Sequence, residues 1–315
     1  MSEKKRDATI ECLRLCMMFC IVLLHVITQD GGVHVYGDKF IPRHFINLLS
    51  PSVVGFVFIS GYFGIRLTLV KAVKLLGLAV FYALTLGWMF GWNSVIERLI
   101  HDWFLYSYLV LMLFSPIINV ATERLDWRQN FGVIFSVYIW SYLCVIPITK
   151  DYVPCPTGFA PLSFFTMFGI YTAARLYRKY DVEGLICQHK SLALLIWAFA
   201  FLLVFLGVHH HNSPASLAFV CITFAFIRKI ELSTVPGRIV LFVAPSVFGI
   251  YLIHSSPLGQ FIRQKLLFQL VDDKPSFLSC LFVAIMIYFA SIVIDAVRRV
   301  FVAALASRLR SLKAQ

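Results

Sequence analysis

Two ionisable residues, Arg14 and His25, lie inside a strongly apolar segment near the start of the chain. They are eleven positions apart, which at 100° per residue is about 20° beyond three full helical turns, so both side chains project from one face of a helix. Ionisable groups are costly inside hydrocarbon and are therefore candidates for a functional site. Each also has a structural explanation. Arg14 can pair with Glu11 one turn earlier, and His25 can bond to a neighbouring helix.

His254 is a third candidate for chemistry. It lies as far past the start of its own apolar segment, at 239, as His25 lies past the start of the first segment, at 10. If both segments run in the same direction, the two imidazoles lie at similar depth. A neutral imidazole can accept the proton of a hydroxyl group that attacks a carbonyl carbon. A structural hydrogen bond, or a place at the membrane interface beside Tyr251, is the alternative explanation of His254.

The segments that carry these residues belong to a strongly apolar chain. Of its 315 residues, 60% are hydrophobic and 14% are charged, and the mean hydropathy is +0.82. A soluble domain carries roughly 25% charged residues, so we predict an all-α membrane protein. Apolar stretches of about 20 residues cross a hydrocarbon core of about 30 Å. Ten such spans are predicted, near residues 10–28, 46–64, 70–91, 103–121, 131–149, 161–177, 191–208, 214–230, 239–260 and 277–297.

The basic residues predict the orientation of these spans. The net charge is +12, from 28 basic and 16 acidic residues, and cytoplasmic loops of membrane proteins are rich in Lys and Arg. With a cytoplasmic N-terminus, the basic residues on the outer side are only Lys39, Arg43, Arg98, Lys150, Arg263, Lys265 and Lys274. Both termini are therefore predicted to be cytoplasmic. The positive net charge is thus explained by the orientation of the protein in the membrane, and it does not indicate nucleic-acid binding.

Four segments form an ordered set of motifs. The first is the Arg and the His of span one, with ten residues between them. The others are FVFISGYFG at 56–64, WFLYSYLVLMLFSPIIN at 103–119 and FGIYLIHSSPL at 248–258. In this order they resemble the signature segments of the acyltransferase-3 family of integral-membrane O-acyltransferases. Residues 1–315 are accordingly expected to form a single transmembrane domain of this kind, with no appended soluble domain.

The resemblance implies acyl-CoA, with acetyl-CoA expected, as the donor. The family carries an Arg-x-x-Arg pair at the start of the third helix, associated with the donor, and the matching residues here are Lys71 and Lys74. This departs from the family pattern, because lysine binds phosphate as a point charge whereas arginine offers a two-pronged fork. Together with Arg14, these lysines are the predicted CoA-binding residues. The alternative is that they are ordinary cytoplasmic lysines.

His25 is the predicted general base, and His254 is the second catalytic candidate. A donor for the developing oxyanion is sought among His254, Ser60 and Tyr251, and Glu11 is expected to line the site. A covalent acyl-histidine intermediate is an alternative. The family implies a sugar hydroxyl of an envelope glycan or lipid-linked saccharide as the acceptor. It also implies a multi-pass protein among the lipids of the bacterial inner membrane.

A transporter or flippase for a glycolipid or small solute is the main alternative function, because buried charges also line substrate paths. The sequence shows no inverted repeat and no clear pair of broken helices, which argues against it. A membrane acyltransferase acting on lipid or protein is a third possibility, against which only the family resemblance argues. No metal is predicted, because no Cys/His spacing typical of zinc appears.

Overall fold

Helices account for nearly all of the structure, a computed structural model that describes residues 6–28, 43–93, 103–137, 161–207, 213–256, 258–262, 265 and 276–313. No strand occurs in these residues, which confirms the all-α prediction. The chain folds as two compact units. Unit 1 comprises Met1–Leu49 and Ile230–Gln315, and unit 2 comprises Ser50–Lys229. The single transmembrane domain stays a prediction.

The helices are numbered in chain order. They are α1 (Ala8–Thr28), α2 (Arg43–Leu49), α3 (Pro51–Phe63), α4 (Leu69–Phe90), α5 (Trp103–Arg124), α6 (Pro161–Lys179), α7 (Val182–Gln188), α8 (Lys190–Leu206), α9 (Pro214–Ile227), α10 (Thr234–Val243), α11 (Val247–His254) and α12 (Phe277–Lys313). A short 3-10 turn, Ala244–Ser246, joins α10 to α11. Residues 127–137 are also helical.

Several of these helices have the length and composition of membrane spans. Among the described residues there are six such stretches, Ala8–Thr28, Arg43–Phe63, Leu69–Phe90, Phe104–Arg124, Thr234–His254 and Phe277–Arg308. Helices α7 and α8 meet at a bend of 106° and become a seventh span if the pair is counted as one. These helices indicate a multi-pass membrane protein. The total of ten spans and the cytoplasmic termini stay predictions.

The remaining predicted spans have different outcomes. The span predicted at 131–149 lies mostly outside the described residues. The span at 161–177 is a helix, α6, but polar residues such as Arg175 and Arg178 lower its hydropathy and it is not among the six. The span at 214–230 is the apolar helix α9, which at 14 residues is shorter than the hydrocarbon core requires of a straight span.

Helix α1 is fixed within unit 1 at several points along its length. The Asp7 carboxylate accepts the backbone N–H of Thr9 at 2.9 Å and so caps the helix start. The Thr9 hydroxyl donates to the Ile230 carbonyl oxygen at 2.8 Å. Further along, the Tyr288 hydroxyl of α12 donates to the Leu15 carbonyl oxygen at 2.9 Å. These bonds set the position of α1 against the chain before α10 and against α12.

Close packing of α12 against α11 depends on a glycine. A Cβ atom built at Gly249 would lie 2.3 Å from Oδ1 of Asp295, so only glycine leaves room for this carboxylate. Asp295 is fully buried. Its charge is compensated on its own helix by Arg298 at 2.8 Å and Arg299 at 3.5 Å, in the i,i+3 and i,i+4 arrangement that helices favour.

Unit 2 is organised around α3, which packs against α6 and α9. The Phe58 ring of α3 is fully buried and meets the rings of Tyr177 and Phe224 edge-on, at 5.2 and 5.3 Å between centroids. At Gly61 the backbones of α3 and α6 lie close together. A Cβ atom there would lie 2.5 Å from the Tyr171 carbonyl oxygen and 2.8 Å from the Ala174 Cβ.

We therefore expect Gly61→Ala to destabilise unit 2 by about 1–3 kcal/mol, the usual cost of overpacking a core. Gly77→Ala on α4 is the matched control, because apart from the neighbouring residues and backbone of its own helix no atom of the described residues lies within 4 Å of a Cβ built there. Alanine also favours a helix more than glycine does. The measurement is the unfolding midpoint of the purified protein in one detergent. Equal midpoints for the two variants would contradict the close approach of α3 and α6.

Candidate active site

The two histidines predicted from the sequence meet in unit 1. His25 lies in the last turn of α1, and His254 ends α11. Nδ1 of His25 is 2.9 Å from Nε2 of His254. The rings stack with 5.0 Å between their centroids and 25° between their planes. We call this hydrogen-bonded pair the histidine dyad.

Hydrogen bonding fixes which ring nitrogens of the neutral dyad carry protons. Nδ1 of the fully buried His254 lies 2.9 Å from the carbonyl oxygen of Ile250. A carbonyl oxygen only accepts, so Nδ1 of His254 is the donor and Nε2 of the neutral ring holds the lone pair. That lone pair accepts the Nδ1–H of His25. In neutral His25 the unprotonated nitrogen is therefore Nε2.

The dyad is suited to take up a proton at His25. When Nε2 of His25 is protonated, its Nδ1–H bond to His254 becomes charge-assisted, and such bonds are roughly twice as strong as neutral ones. His254 is in turn oriented by its bond to the Ile250 carbonyl oxygen. A base held in orientation by a second polar group is a recurring arrangement in enzymes that activate a hydroxyl nucleophile.

Tyr251 contributes a ring contact to the dyad. It is buried, and its ring meets the His254 ring edge-on with 5.6 Å between centroids. The contact restricts rotation of the His254 imidazole. The predicted role of Tyr251 as an oxyanion donor stays a prediction.

Ser60 belongs to unit 2, where its hydroxyl donates to the Phe56 carbonyl oxygen at 2.9 Å and lies 3.2 Å from the Tyr108 hydroxyl. A serine hydroxyl has one proton to donate. As an oxyanion donor, Ser60 would have to give up the bond to Phe56. That role also stays a prediction.

Arg14 pairs with Glu11 on the same helix. Nη1 of Arg14 donates to Oε1 of Glu11 at 2.9 Å, and the carboxylate is largely buried. The structure thus contains the local pair that offered the structural explanation of Arg14. The bond uses one of the five N–H donors of a guanidinium, so it leaves the binding of a phosphate group open.

Lys71 and Lys74 lie in the first turns of α4, in unit 2. The N-cap residue of the helix is Thr68, whose hydroxyl oxygen accepts the backbone N–H of Lys71 at 3.3 Å. Both lysine side chains are exposed. They belong to a different unit from Arg14, and the predicted CoA-binding set of Arg14, Lys71 and Lys74 stays a prediction.

A cationic cavity in unit 2 was not predicted from the sequence. Its lining includes Arg66, Arg175 and Arg178, which the charge distribution of the sequence predicts only to lie on the cytoplasmic side. Arg175 and Arg178 stand three residues apart in one helix, and this spacing was the available signal. Elsewhere, within the ranges that the structure describes, no group of three or more His, Cys, Asp and Glu side chains is arranged to hold a metal ion.

The hydrogen bonds of the dyad predict one tautomer for both histidines. At a pH where both rings are neutral, we expect His25 and His254 each to carry the proton on Nδ1. Solid-state ¹⁵N NMR of histidine-labelled protein in bilayers reads this directly, with His25→Gln and His254→Gln spectra to assign the signals. A neutral His254 protonated at Nε2 would contradict the direction of the hydrogen bonds.

A comparison with models of protein families agrees with the motifs. A comparison with curated proteins and one with solved structures each found no match. A family model described as the acyltransferase domain of the acyltransferase-3 type matches residues 7–296, which is nearly the whole chain and includes both histidines of the dyad. The chain therefore belongs to the acyltransferase-3 family.

Proposed function

We propose that this protein transfers an acyl group, with acetyl expected, from acyl-CoA to a sugar hydroxyl of an envelope glycan or lipid-linked saccharide. Family membership establishes acyl transfer in general. The histidine dyad is the observation that supports transfer to a hydroxyl, because a hydroxyl nucleophile has to lose its proton as it attacks. The unprotonated Nε2 of His25 is the proposed acceptor of that proton.

In the proposed reaction, the acceptor hydroxyl gives its proton to Nε2 of His25 while its oxygen attacks the thioester carbonyl carbon. The tetrahedral intermediate collapses as the carbon–sulfur bond breaks. The CoA sulfur then takes the proton back from Nε2 of His25. The products are the O-acyl ester and CoA with its free thiol, and the dyad returns to its starting state.

His254 acts in this proposal as a positioning residue. Its Nε2 accepts the Nδ1–H of His25 in both the neutral and the protonated state of the base, so the ring keeps one orientation throughout. Because His254 is fully buried and bonded to the Ile250 carbonyl oxygen, its own tautomer is fixed before the substrates bind.

The donor is proposed to enter from the cytoplasm, in a ten-span inner-membrane topology with both termini cytoplasmic. Arg14 lies about 16 Å along α1 from His25, by the rise of about 1.5 Å per residue. A phosphate held at Arg14 is thus separated from the dyad, and the narrow pantetheine arm of CoA would span the interval. Lys71 and Lys74 are proposed to add positive charge for the CoA phosphates.

We expect His25→Ala to abolish transfer while acyl-CoA binding is retained. Loss of a general base usually lowers the rate by about 10²–10⁴, and Arg14 is too far along the helix for its phosphate contact to depend on His25. The measurements are acyl transfer and CoA binding by the purified full chain in nanodiscs. His25→Gln, which cannot take up a proton near neutral pH, should be nearly as inactive.

His44→Gln is the matched control for these variants, because His44 lies exposed on α2 of the same unit. It should transfer at the wild-type rate. A folded His25→Ala protein that binds CoA and acylates at a near wild-type rate would exclude the catalytic role of His25.

Arg14→Ala should weaken acyl-CoA binding by about 10- to 100-fold, the range of one hydrogen bond to a charged group. Arg6→Ala is the control, because it removes the same charge from an exposed position just before α1. Both variants are titrated with CoA in nanodiscs of neutral lipid. Equal affinities for Arg14→Ala and wild type would remove Arg14 from the donor site.

A further inference from the structure

Unit 2 contains a cavity of about 450 Å³ at the junction of the end of α3, the end of α5 and the end of α6. Small-molecule sites commonly enclose about 300–1,000 Å³, so the cavity is large enough for a ligand. Its lining consists of Phe63, Gly64, Arg66, Asn119, Glu123, Arg175, Arg178 and Lys179. None of these residues was predicted from the sequence to belong to a site.

The backbone between two lining residues, Gly64 and Arg66, is fixed by side chains from two helices. The Tyr171 hydroxyl of α6 accepts the backbone N–H of Ile65 at 2.8 Å and donates to Oδ1 of Asn119 at 2.9 Å. Nδ2 of Asn119, on α5, donates to the Ile65 carbonyl oxygen at 3.0 Å. This closed set of bonds positions Arg66, the next residue along the chain.

Gly64 gives Arg175 access to the cavity wall. It has a φ of +74°, which L side chains rarely adopt, and a Cβ atom there would lie 2.8 Å from Nη1 of Arg175. Glycine therefore allows the guanidinium to lie directly against the backbone. Any other residue at this position would have a strained backbone, and the end of the Arg175 side chain would have to move.

The cavity has an excess of positive charge. Glu123 is the one carboxylate in a lining that also holds Arg66, Arg175, Arg178 and Lys179. Nη2 of Arg175 donates to Oε1 of Glu123 at 2.7 Å. Nζ of Lys179 donates to the carbonyl oxygens of Thr122, Glu123 and Leu125, at 2.8, 3.1 and 2.9 Å, which uses all three of its donors. Lys179 therefore contributes charge, while ligand bonds would come from the arginines.

The three arginines differ in how firmly they are held. The Arg175 side chain is only 14% exposed, and its Nε is buried without a hydrogen-bond partner in the part of the chain that the structure describes. Arg66 and Arg178 are exposed, and Arg178 donates one bond, to the Tyr62 carbonyl oxygen at 3.2 Å. The cavity thus has one fixed, largely buried guanidinium and two exposed ones beside it.

We propose that this cavity binds a phosphate group of an organic phosphate. Guanidinium groups bind phosphate oxygens in pairs of parallel hydrogen bonds, which makes arginine the preferred residue for such sites. Two sources of the group fit the proposed topology, in which these cations face the cytoplasm: CoA, with a diphosphate and a separate 3′-phosphate, and an anionic phospholipid. The CoA source rests on the proposed function, whereas the phosphate site itself does not.

The test uses the full chain in nanodiscs of neutral phosphatidylcholine, titrated with CoA, 3′-dephospho-CoA and pyrophosphate. The combined Arg66→Gln and Arg178→Gln variant should weaken binding of pyrophosphate and CoA at least about tenfold, from the loss of charge-assisted bonds. Arg124→Gln is the matched control. It removes the same charge from the exposed last turn of α5 without changing the lining, and it should bind as the wild type does.

Glu123→Gln tests the same site in the opposite direction. It removes the carboxylate but keeps an oxygen that can accept from Arg175, so phosphate binding should become tighter by roughly 2- to 10-fold. If the double arginine variant fails to fold, this variant decides the matter. An unchanged affinity for every phosphate probe, soluble or lipid, would then overturn the proposal.

A second arm distinguishes the sources. Native mass spectrometry counts phosphatidylglycerol molecules retained by each variant from mixed-lipid nanodiscs. Weaker binding of CoA and pyrophosphate by the double arginine variant supports CoA as the source of the phosphate group. If the double arginine variant binds CoA and pyrophosphate as the wild type does but retains less phosphatidylglycerol than Arg124→Gln does, the phospholipid is the source of the phosphate group. If the folded double arginine variant shows no change in its binding of soluble phosphates or in its retention of phosphatidylglycerol, the site does not exist. Acyl transfer by the wild-type chain is measured in parallel, so the proposed function can stand when the phosphate site fails.

Discussion

The hydrogen bond between His25 and His254 joins two helices that are far apart in the sequence and determines what either imidazole can do. In apolar surroundings a buried polar nitrogen has to form a hydrogen bond, because leaving it without a partner costs on the order of several kcal/mol. His254 meets this requirement by donating to a carbonyl oxygen of its own helix. The remaining nitrogen then has only the role of acceptor for His25. The packing of α1 against α12, through the Tyr288 bond to Leu15, keeps His25 in reach of that acceptor.

The same requirement shapes unit 2. Tyr171 and Asn119 satisfy the backbone of Ile65 and each other, and Lys179 satisfies carbonyl oxygens at the end of α5. The lining of the cavity that these bonds hold in place contains more cations than carboxylates. An excess of fixed positive charge in a concave site favours an anionic ligand. The two units therefore differ in their polar groups, with a pair of hydrogen-bonded imidazoles in one and a cluster of cations in the other.

Sequence patterns predicted the features that depend on local spacing. The helical period placed Arg14 and His25 on one face, and counting from the segment starts placed His254 at the depth of His25, where the structure brings the two rings into contact. The tautomers could not be predicted, since they depend on the Ile250 carbonyl oxygen. The bend between α7 and α8 was also missed, because the sequence there shows only a continuous apolar span after His189. The cavity was missed because its residues come from three helix ends distant in sequence.

In the proposed reaction the chain acylates a sugar hydroxyl with the help of His25. Mass spectrometry of envelope glycans tests this reaction in cells that carry the wild-type gene, the His25→Gln gene or neither. We expect a glycan with the added acyl mass in the wild-type cells alone, and this added group should be removed by mild alkali, as an ester is. Glycans of identical mass in all three strains, in a cell shown to hold the folded protein, would contradict it.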